Sequence, residues 1–344
     1  MKEPFESTGL KIAVIGGGTG SFTLLSALKN HSDNIVAIVN MVDDGGSTGV
    51  LRDELGVLPP GDVRQCLVAL SNSPKLRDLF NYRFEEGTFS GHAFGNVFLS
   101  ALEKVNGNFN EAVQTASEIL NVKGKVVPAT LDDVRLKMEW PDATITLHGE
   151  RVIDEKAFDK DPRTATLSLV PDATANPQAV KAILAADLVV VAPGDLYTSL
   201  GPLLIINEIG KALKETAATV LYVSNLVTKS GQTDGFSVSD HASEIERFAG
   251  GQILDYVLYN QQSPNAELAK KYRETENAIV VGADTEKMDT MHYKAVGGNF
   301  LGDMAQAQDN DVLPVTRSLI RHDPAVVANA IIELYENVRS RNDT

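Results

Sequence analysis

Residues 10–30, "LKIAVIGGGTGSFTLLSALKN", carry the signals of one strand, one turn and one helix in succession. The part "KIAVI" is a short apolar run, which is typical of a buried strand. Phe22, Leu25 and Leu28 then repeat at the spacing of one helix face, and four glycines lie between the two segments. The stretch therefore predicts a strand–turn–helix unit, the first building block of an α/β fold.

Further apolar runs occur at residues 34–42, 187–192, 218–227 and 252–261, and helical spacing occupies most of the intervals between them. Strands that are apolar on both faces belong to parallel sheets that are covered by helices on each side. We therefore predict an α/β fold with a doubly wound, Rossmann-like parallel sheet, formed by a single domain of residues 8–344.

Residues 124–171 depart from this alternation. They contain "VRLKMEW", "ATITLHG" and "TATLSLV", three short alternating segments with no helical segment between them. Short alternating segments of this kind are typical of antiparallel strands. We predict a small antiparallel β-rich insertion over residues 124–171. Residues 283–312 indicate no more than a strand and a loop.

Composition narrows the classes of function. The chain has a formal net charge of −15, which opposes binding to nucleic acid because phosphate neutralisation requires clustered Lys and Arg. Cys66 is the only cysteine, so an intrachain disulfide is excluded, and its apolar surroundings predict a buried thiol. No apolar run reaches the roughly 18 residues of a transmembrane helix, and the N-terminus lacks a signal-peptide pattern. We expect a cytoplasmic protein without membrane insertion.

The first glycine-rich turn is a candidate phosphate-binding loop. A backbone without Cβ atoms can approach a phosphate closely, and the following helix offers unpaired N–H groups. Thr19 adds a hydroxyl donor, while Ser21 occupies the third glycine position of the dinucleotide fingerprint. A tight strand-to-helix turn without a ligand is the alternative. The candidate ligand-binding residues of this loop are Gly16, Gly17, Gly18, Thr19 and Gly20.

The stretch "VDDGGSTG", residues 42–49, follows the second predicted strand. One acidic residue at that point suffices to bind a ribose in nicotinamide-binding proteins. Two aspartates followed by three glycines instead indicate a second anion-binding loop beside a carboxylate pair, and Mg²⁺ commonly takes one or two carboxylates together with phosphate oxygens. We name Asp44, Gly45 and Ser47 as ligand-binding candidates. The metal-ligand candidates are Asp43, Asp44 and Asp62, although Asp62 also suits a helix cap.

Three further loops have the same character. "GHAFGN" (residues 91–96), "APGDLYTSLGP" (192–202) and "YVSNLVTKSGQTDGF" (222–236) combine glycines with polar side chains. Ligands of open α/β sheets bind outside the carboxyl ends of the strands, so we expect these loops to converge there. For His92 a capping or packing role is an equal alternative. The ligand-binding candidates are His92, Asn96, Gly194, Thr198, Ser199 and Asn225.

Together with "IRHDP" (residues 320–324), these blocks resemble the signature of the gluconeogenesis factor (YvcK-type) family. That family is a branch of the 2-phospho-L-lactate transferase (CofD-like) superfamily. The resemblance runs from about residue 11 to residue 335. It implies a cytoplasmic regulatory factor that is required for growth and cell shape under gluconeogenic conditions. It also implies a UDP-sugar ligand such as UDP-N-acetylglucosamine, and cell-wall synthesis proteins as partners; a homo-oligomer is left open.

The resemblance also implies roles for particular residues. In the transferase branch, a nucleotide lies over the glycine loop and aspartates matching Asp43, Asp44 and Asp62 hold a divalent metal. In the gluconeogenesis-factor branch, Arg321 and Tyr272 match the contacts to a UDP-sugar. We recognise no deazaflavin pocket, which the transferase branch requires for its substrate.

Three hypotheses about function follow. The first is a nucleotide-sugar-binding regulatory protein, and we favour it because the resemblance is closer to that branch. The second is a Mg²⁺-dependent phosphotransferase of the 2-phospho-L-lactate transferase type. The third is an NAD-dependent oxidoreductase, which the "DDGGSTG" block disfavours.

Overall fold

The computed structural model of the protein describes residues 9–142, 145–264, 266–302 and 320–342. Two β-sheets and their flanking helices are formed within these residues. The strands are β1 Ile12–Gly16, β2 Ile35–Val39, β3 Lys125–Pro128, β4 Arg135–Glu139, β5 Thr146–His148, β6 Thr166–Val170, β7 Leu188–Val191, β8 Thr219–Val223, β9 Tyr256–Asn260 and β10 Lys294–Gly298.

The helices fill the connections between these strands. Short turns of 3₁₀-helix and π-helix cover Pro162–Thr164 and Leu196–Leu200. The α-helices are α1 Gly18–Leu28, α2 Gly46–Leu55, α3 Gly61–Leu70, α4 Pro74–Asn81, α5 Phe94–Asn106, α6 Phe109–Ile119, α7 Glu150–Glu155, α8 Pro177–Ala185, α9 Gly201–Leu204, α10 Asn207–Glu215, α11 Val238–Ala249, α12 Ala266–Glu276, α13 Thr285–Met288 and α14 Pro324–Asn342.

The larger sheet has seven parallel strands in the order β10-β9-β8-β7-β1-β2-β3. From β1 the chain first adds strands on one side, through β2 to β3, and later adds β7 to β10 on the other side. The order therefore reverses between β1 and β7, and in open α/β sheets a ligand crevice forms at such a switch point. The predicted doubly wound, Rossmann-like sheet is confirmed.

Helices cover both faces of the large sheet because its strands are apolar on both. In β1, Ala13 and Ile15 join one hydrophobic core while Ile12 and Val14 join the other. All four side chains are at most 1% exposed. The Cys66 thiol lies in the second core as predicted, and burial raises its pKa. Among the described residues, no helix is long and apolar enough to cross a lipid bilayer.

The smaller sheet is antiparallel, with the order β5-β4-β6, and its inner face packs into the first core. It begins later than the predicted insertion of residues 124–171, because Lys125–Pro128 pairs in parallel with β2. The prediction of strands without an intervening helix was wrong, since α7 lies between β5 and β6. β10 provides the strand expected within residues 283–312, and residues 303–312 lie outside the described residues.

Candidate functional site: a cleft at the switch point of the sheet

A cavity of about 550 Å³ opens above the carboxyl ends of β1, β7 and β8. Its floor is formed by the turn after β1, and its sides by the loops after β7 and β8, by α7 and by the segment before α14. Nine of the residues predicted from the sequence line it. They are Gly17, Gly18, Thr19, Gly20, Gly194, Ser199, Asn225, Tyr272 and Arg321.

The glycine turn leaves the N-terminus of α1 open to the cleft. Gly17 stands at the N-cap in an extended conformation, and no side chain in the described part of the chain caps this helix. Gly18 has a φ of +63°, a value that favours glycine. A Cβ atom on Gly20 would lie 2.8 Å from the carbonyl carbon of Pro193. The turn therefore brings α1 against the β7 loop. The Gly18 N–H is engaged by the Asp62 carboxyl group, so the N–H groups left for an anion are those of the rest of the first turn.

Asn225 fastens the loops after β7 and β8 to each other. Its side-chain amide donates to the carbonyl of Gly194 at 2.8 Å, and its Oδ1 accepts the Gly194 N–H at 3.2 Å. The Tyr222 hydroxyl also donates to that oxygen. Because the oxygen and the nitrogen of the amide are both hydrogen-bonded, Asn225 holds the loops after β7 and β8 in place. The sequence predicted that Asn225 lies at the site, but it did not predict this role in joining the two loops.

Arg321 and His322, in the segment before α14, contribute polar groups to the side of the cleft opposite the loops after β7 and β8. The Arg321 carbonyl accepts the N–H of Gly302, so the segment before α14 is anchored by backbone pairing. Among the residues that the structure describes, the buried Arg321 Nε and His322 Nε2 have no hydrogen-bond partner. Burial lowers the pKa of His322 to about 4, so the imidazole is neutral at pH 7. A ligand acceptor would satisfy the Arg321 donor.

Lys229 contributes a second cation that the sequence analysis missed. Its ammonium forms ion pairs with Asp154 and, at 2.9 Å, with Asp195. Burial alone would lower the pKa of Lys229, but the two carboxylates outweigh it and raise the pKa above the usual value. The signal was present, since Lys229 is the one basic residue in the predicted loop 222–236.

Three aspartates of the sequence prediction lie behind the glycine turn, in two different environments. Asp62 fits against the space left by the absent Cβ of Gly17. Burial and the neighbouring Asp43 raise the pKa of Asp62 to about 7, and burial followed by Asp44 raises that of Asp43. Asp44 instead accepts the backbone N–H of Glu150 and that of Arg151. Asp43 thus interacts electrostatically with both Asp62 and Asp44, while the Asp44 carboxylate also caps α7.

Glu150, on the first turn of α7, faces the cleft near these carboxylates. Burial, followed by Asp43 and Asp154, raises the pKa of Glu150 to about 9. A protonated carboxyl group has an O–H donor, so Glu150 can donate a hydrogen bond to a ligand oxygen at neutral pH. The sequence analysis did not identify Glu150, because a single turn of helix inside a β-rich segment has no periodic signal.

Ser47, His92 and Asn96 form a separate group that does not line the cleft. Ser47 Oγ lies 3.0 Å from His92 Nδ1 and accepts from the Asn96 amide at 3.2 Å. Arg64 holds the other end of Asn96 at 2.9 Å. The group lies beyond the β2 loop because β2 is on the far side of β1 from the cleft.

The remaining predicted residues support the cleft from below. Gly16 ends β1, and Gly45 precedes α2 and donates its N–H to Asp43. Thr198 is 1% exposed, and its hydroxyl donates to Asp154 at 3.2 Å.

The donor set fits a hard divalent cation only in part. No group of three His, Cys, Asp or Glu side chains within the described ranges could hold a metal. Asp43 and Asp62 nevertheless give two neighbouring carboxylates beside the glycine turn, and Mg²⁺ often binds through two carboxylates and substrate phosphates. These two residues would hold Mg²⁺, which would supply charge neutralisation to bound phosphate.

The fold and cleft define an open, doubly wound α/β protein with a glycine-rich site at its switch point. The model of the 2-phospho-L-lactate transferase CofD family matches residues 12–301, and the chain belongs to that family. The gluconeogenesis factor of Bacillus subtilis is 37% identical over 327 residues, covering 94% of this chain and 98% of that protein. A Clostridium acetobutylicum protein is 41% identical over 327 residues, covering 94% and 69% of the two chains.

A solved structure agrees with this assignment. A UPF0052 family protein from Bacillus halodurans has a TM-score of 0.84 and 36% identity, and the match covers 94% of this chain and 99% of that one. The resemblance seen in the sequence is thereby confirmed.

Proposed function

We propose that the protein is a cytoplasmic regulatory factor that binds a UDP-sugar, such as UDP-N-acetylglucosamine, at the switch-point cleft. In this proposal it supports growth and cell shape under gluconeogenic conditions and acts on cell-wall synthesis proteins. The observation that carries the ligand class is the convergence of the first turn of α1, Arg321 and Lys229 in one cavity. The names of the relatives support the physiological setting.

The cavity suits a diphosphate-linked ligand in size, and its two cations, Lys229 and Arg321, lie in a lining that also contains Glu150, Asp154 and Asp195. Ligand sites commonly measure roughly 300–1,000 Å³, a range that includes this cleft. The diphosphate would lie over the first N–H groups of α1, where backbone donors and the helix dipole favour an anion. Arg321 would add a charge-assisted hydrogen bond. In a chain of net charge −15, such localised donors are needed to hold a dianion.

We expect Arg321→Ala to weaken binding of UDP-N-acetylglucosamine about 10- to 100-fold, because hydrogen bonds to charged groups contribute about 1.5–3 kcal/mol. Isothermal titration calorimetry of the purified chain measures this loss. Arg339→Ala, which removes an exposed arginine of α14, is the matched control and should bind like the wild type. Equal affinity of the Arg321 variant and the wild type would contradict the proposal.

The second candidate function is a Mg²⁺-dependent phosphotransferase. The pairing of Asp43 with Asp62 beside the glycine turn favours it, as does the description of the matching family. Mg²⁺ held there would neutralise phosphate charge. The buried carboxylates need not imply turnover, because the same pair could retain a structural cation.

We expect 10 mM Mg²⁺ to raise the thermal midpoint by a few degrees at pH 8 and by less at pH 6. Asp62, with a pKa of about 7, must lose its proton before it binds the cation. Asp62→Asn should lose this Mg²⁺ shift, and without Mg²⁺ at pH 8 it should be at least as stable as the wild type. Asp78→Asn, on the exposed side of α4, is the control. Differential scanning fluorimetry would count against the cation site if both variants kept the shift.

A further inference from the structure

Helix α7 belongs to the antiparallel part of the chain but is held at both ends by loops of the parallel sheet. At its N-terminus, Asp44 accepts the N–H of Glu150 at 3.1 Å and that of Arg151 at 2.7 Å. At its C-terminus, the side-chain amide of Gln232 donates to the carbonyls of Ile153, Asp154 and Lys156. One turn of helix thus connects the two sheets at the edge of the cleft.

An ion-pair bridge joins the C-terminal end of α7 to the cleft. Lys229, which follows β8, contacts Asp154 of α7 on one side and Asp195 of the β7 loop on the other. All three residues line the cavity. The side chains of Lys229 and Asp154 are 25% and 18% exposed. Among the described residues, Lys229 is the only lysine that lines the cavity, and it is bound to the protein's own carboxylates.

A chain of contacts leads from this bridge to the interior of the antiparallel part. Gly231, two residues after Lys229, accepts the N–H of Phe158 at 2.7 Å. The Phe158 ring packs edge-on against Trp140 with centroids 5.5 Å apart. Trp140 is 2% exposed and is the only tryptophan of the chain. Its fluorescence therefore reports on this region alone.

We propose that the Asp154–Lys229–Asp195 bridge couples occupancy of the cleft to helix α7, because an anionic ligand competes with Asp154 for the Lys229 ammonium. The inference rests on the proposed function, and it adds a way for the bound ligand to change the contacts of α7. When the ligand phosphate takes the ammonium, Asp154 keeps the Thr198 hydroxyl but loses its ion pair, which weakens one of the contacts between α7 and the loop after β8.

The exchange is energetically feasible. The Lys229 ammonium has three N–H donors. Its ion pairs with Asp154 and Asp195 are partly exposed, so each pair contributes only modestly to stability. A phosphate group carries more charge than one carboxylate and offers more acceptor oxygens. A ligand can shift a two-state element only by its differential affinity for the two states, and the Lys229 ion pair supplies that difference.

The test combines calorimetry with Trp140 fluorescence during titration with UDP-N-acetylglucosamine. The wild type should show a saturable emission change whose midpoint matches the calorimetric Kd. Asp154→Asn should tighten binding about three- to fivefold, since it removes one of the two carboxylates that compete with the ligand for Lys229. It should also lose most of the emission change, because the ion pair between α7 and Lys229 is already absent without ligand.

Asp195→Asn distinguishes an effect on ligand affinity from an effect on the Trp140 emission change. It removes the other partner of Lys229 without touching α7, so it should tighten binding by a similar factor and keep the emission change. Glu215→Gln removes an exposed Lys–Glu pair on α10 and is the control for loss of an ion pair. It should match the wild type in both measurements.

The outcomes distinguish the two proposals. Absence of calorimetric binding in the wild type would refute the UDP-sugar proposal. Normal binding with an unchanged Trp140 signal would overturn the coupling and leave the UDP-sugar proposal standing. The coupling also fails if Asp154→Asn retains both the wild-type Kd and the wild-type emission change.

Discussion

Gly20→Ala is expected to lower the free energy of unfolding by about 3 kcal/mol and to abolish nucleotide-sugar binding. The added methyl group would stand 2.8 Å from the carbonyl carbon of Pro193, and closer still to its oxygen. Both atoms belong to the backbone, so no side-chain rotation relieves the overlap. Either α1 or the β7 loop must move, and the two together form the floor and one side of the cleft. Urea unfolding and calorimetric titration measure the two effects.

Gly194→Ala is the matched control for this substitution. Gly194 lies in the same cavity, but a Cβ there would approach Leu200 at only 3.5 Å, an ordinary van der Waals contact. We expect a change in unfolding free energy of less than about 1 kcal/mol. If the two variants were equally stable and bound ligand equally, the close approach of α1 to the β7 loop would not be required.

The sheet and its switch point could be predicted because strong local signals determine them. The strands β1, β2, β7 and β8 are buried on both faces, which leaves uninterrupted apolar runs in the sequence. The carboxyl ends of parallel strands share an edge, so the loops that follow β1, β7 and β8 were expected to meet. The loop of residues 91–96 was expected to join them, but it does not line the cleft. The cleft confirms this expectation for Gly18, Gly194 and Asn225.

The direction of each side chain in the loop after β2 could not be predicted. Asp43 and Asp44 are adjacent in sequence, yet the Asp43 carboxylate lies against Gly45 and Gly61 and the Asp44 carboxylate lies against α7. Ser47, three residues further on, points to His92. These directions depend on tertiary contacts that spacing does not encode. The α7 contribution was missed for the same reason, because a short helix becomes informative only when its position over the cleft is known.

Arg52 forms tertiary contacts with the loop after β2. We expect Arg52→Met to destabilise the protein by about 3 kcal/mol. The residue is 4% exposed. Its guanidinium donates to the carbonyls of Val42, Asp43 and Val134 and pairs with Asp133 at 2.5 Å. Methionine retains an apolar side chain of similar length but leaves these buried carbonyls without their donor, and such losses cost about 1–3 kcal/mol each before relaxation. Chemical denaturation measures the difference.

Arg135→Met provides the comparison, because that arginine is 39% exposed and pairs with Asp44 and Asp53 at the surface. A loss of no more than about 1 kcal/mol is expected there. The two variants should also differ in their response to Mg²⁺. Arg52 holds the backbone from which the Asp43 side chain projects, so Arg52→Met should reduce the thermal shift on Mg²⁺ addition at pH 8, whereas Arg135→Met should retain it. An unaltered Mg²⁺ shift in a destabilised Arg52→Met protein would mean that Asp43 keeps its position without this arginine, and that the interior of the β2 loop is set by Asp62 and the glycine turn instead.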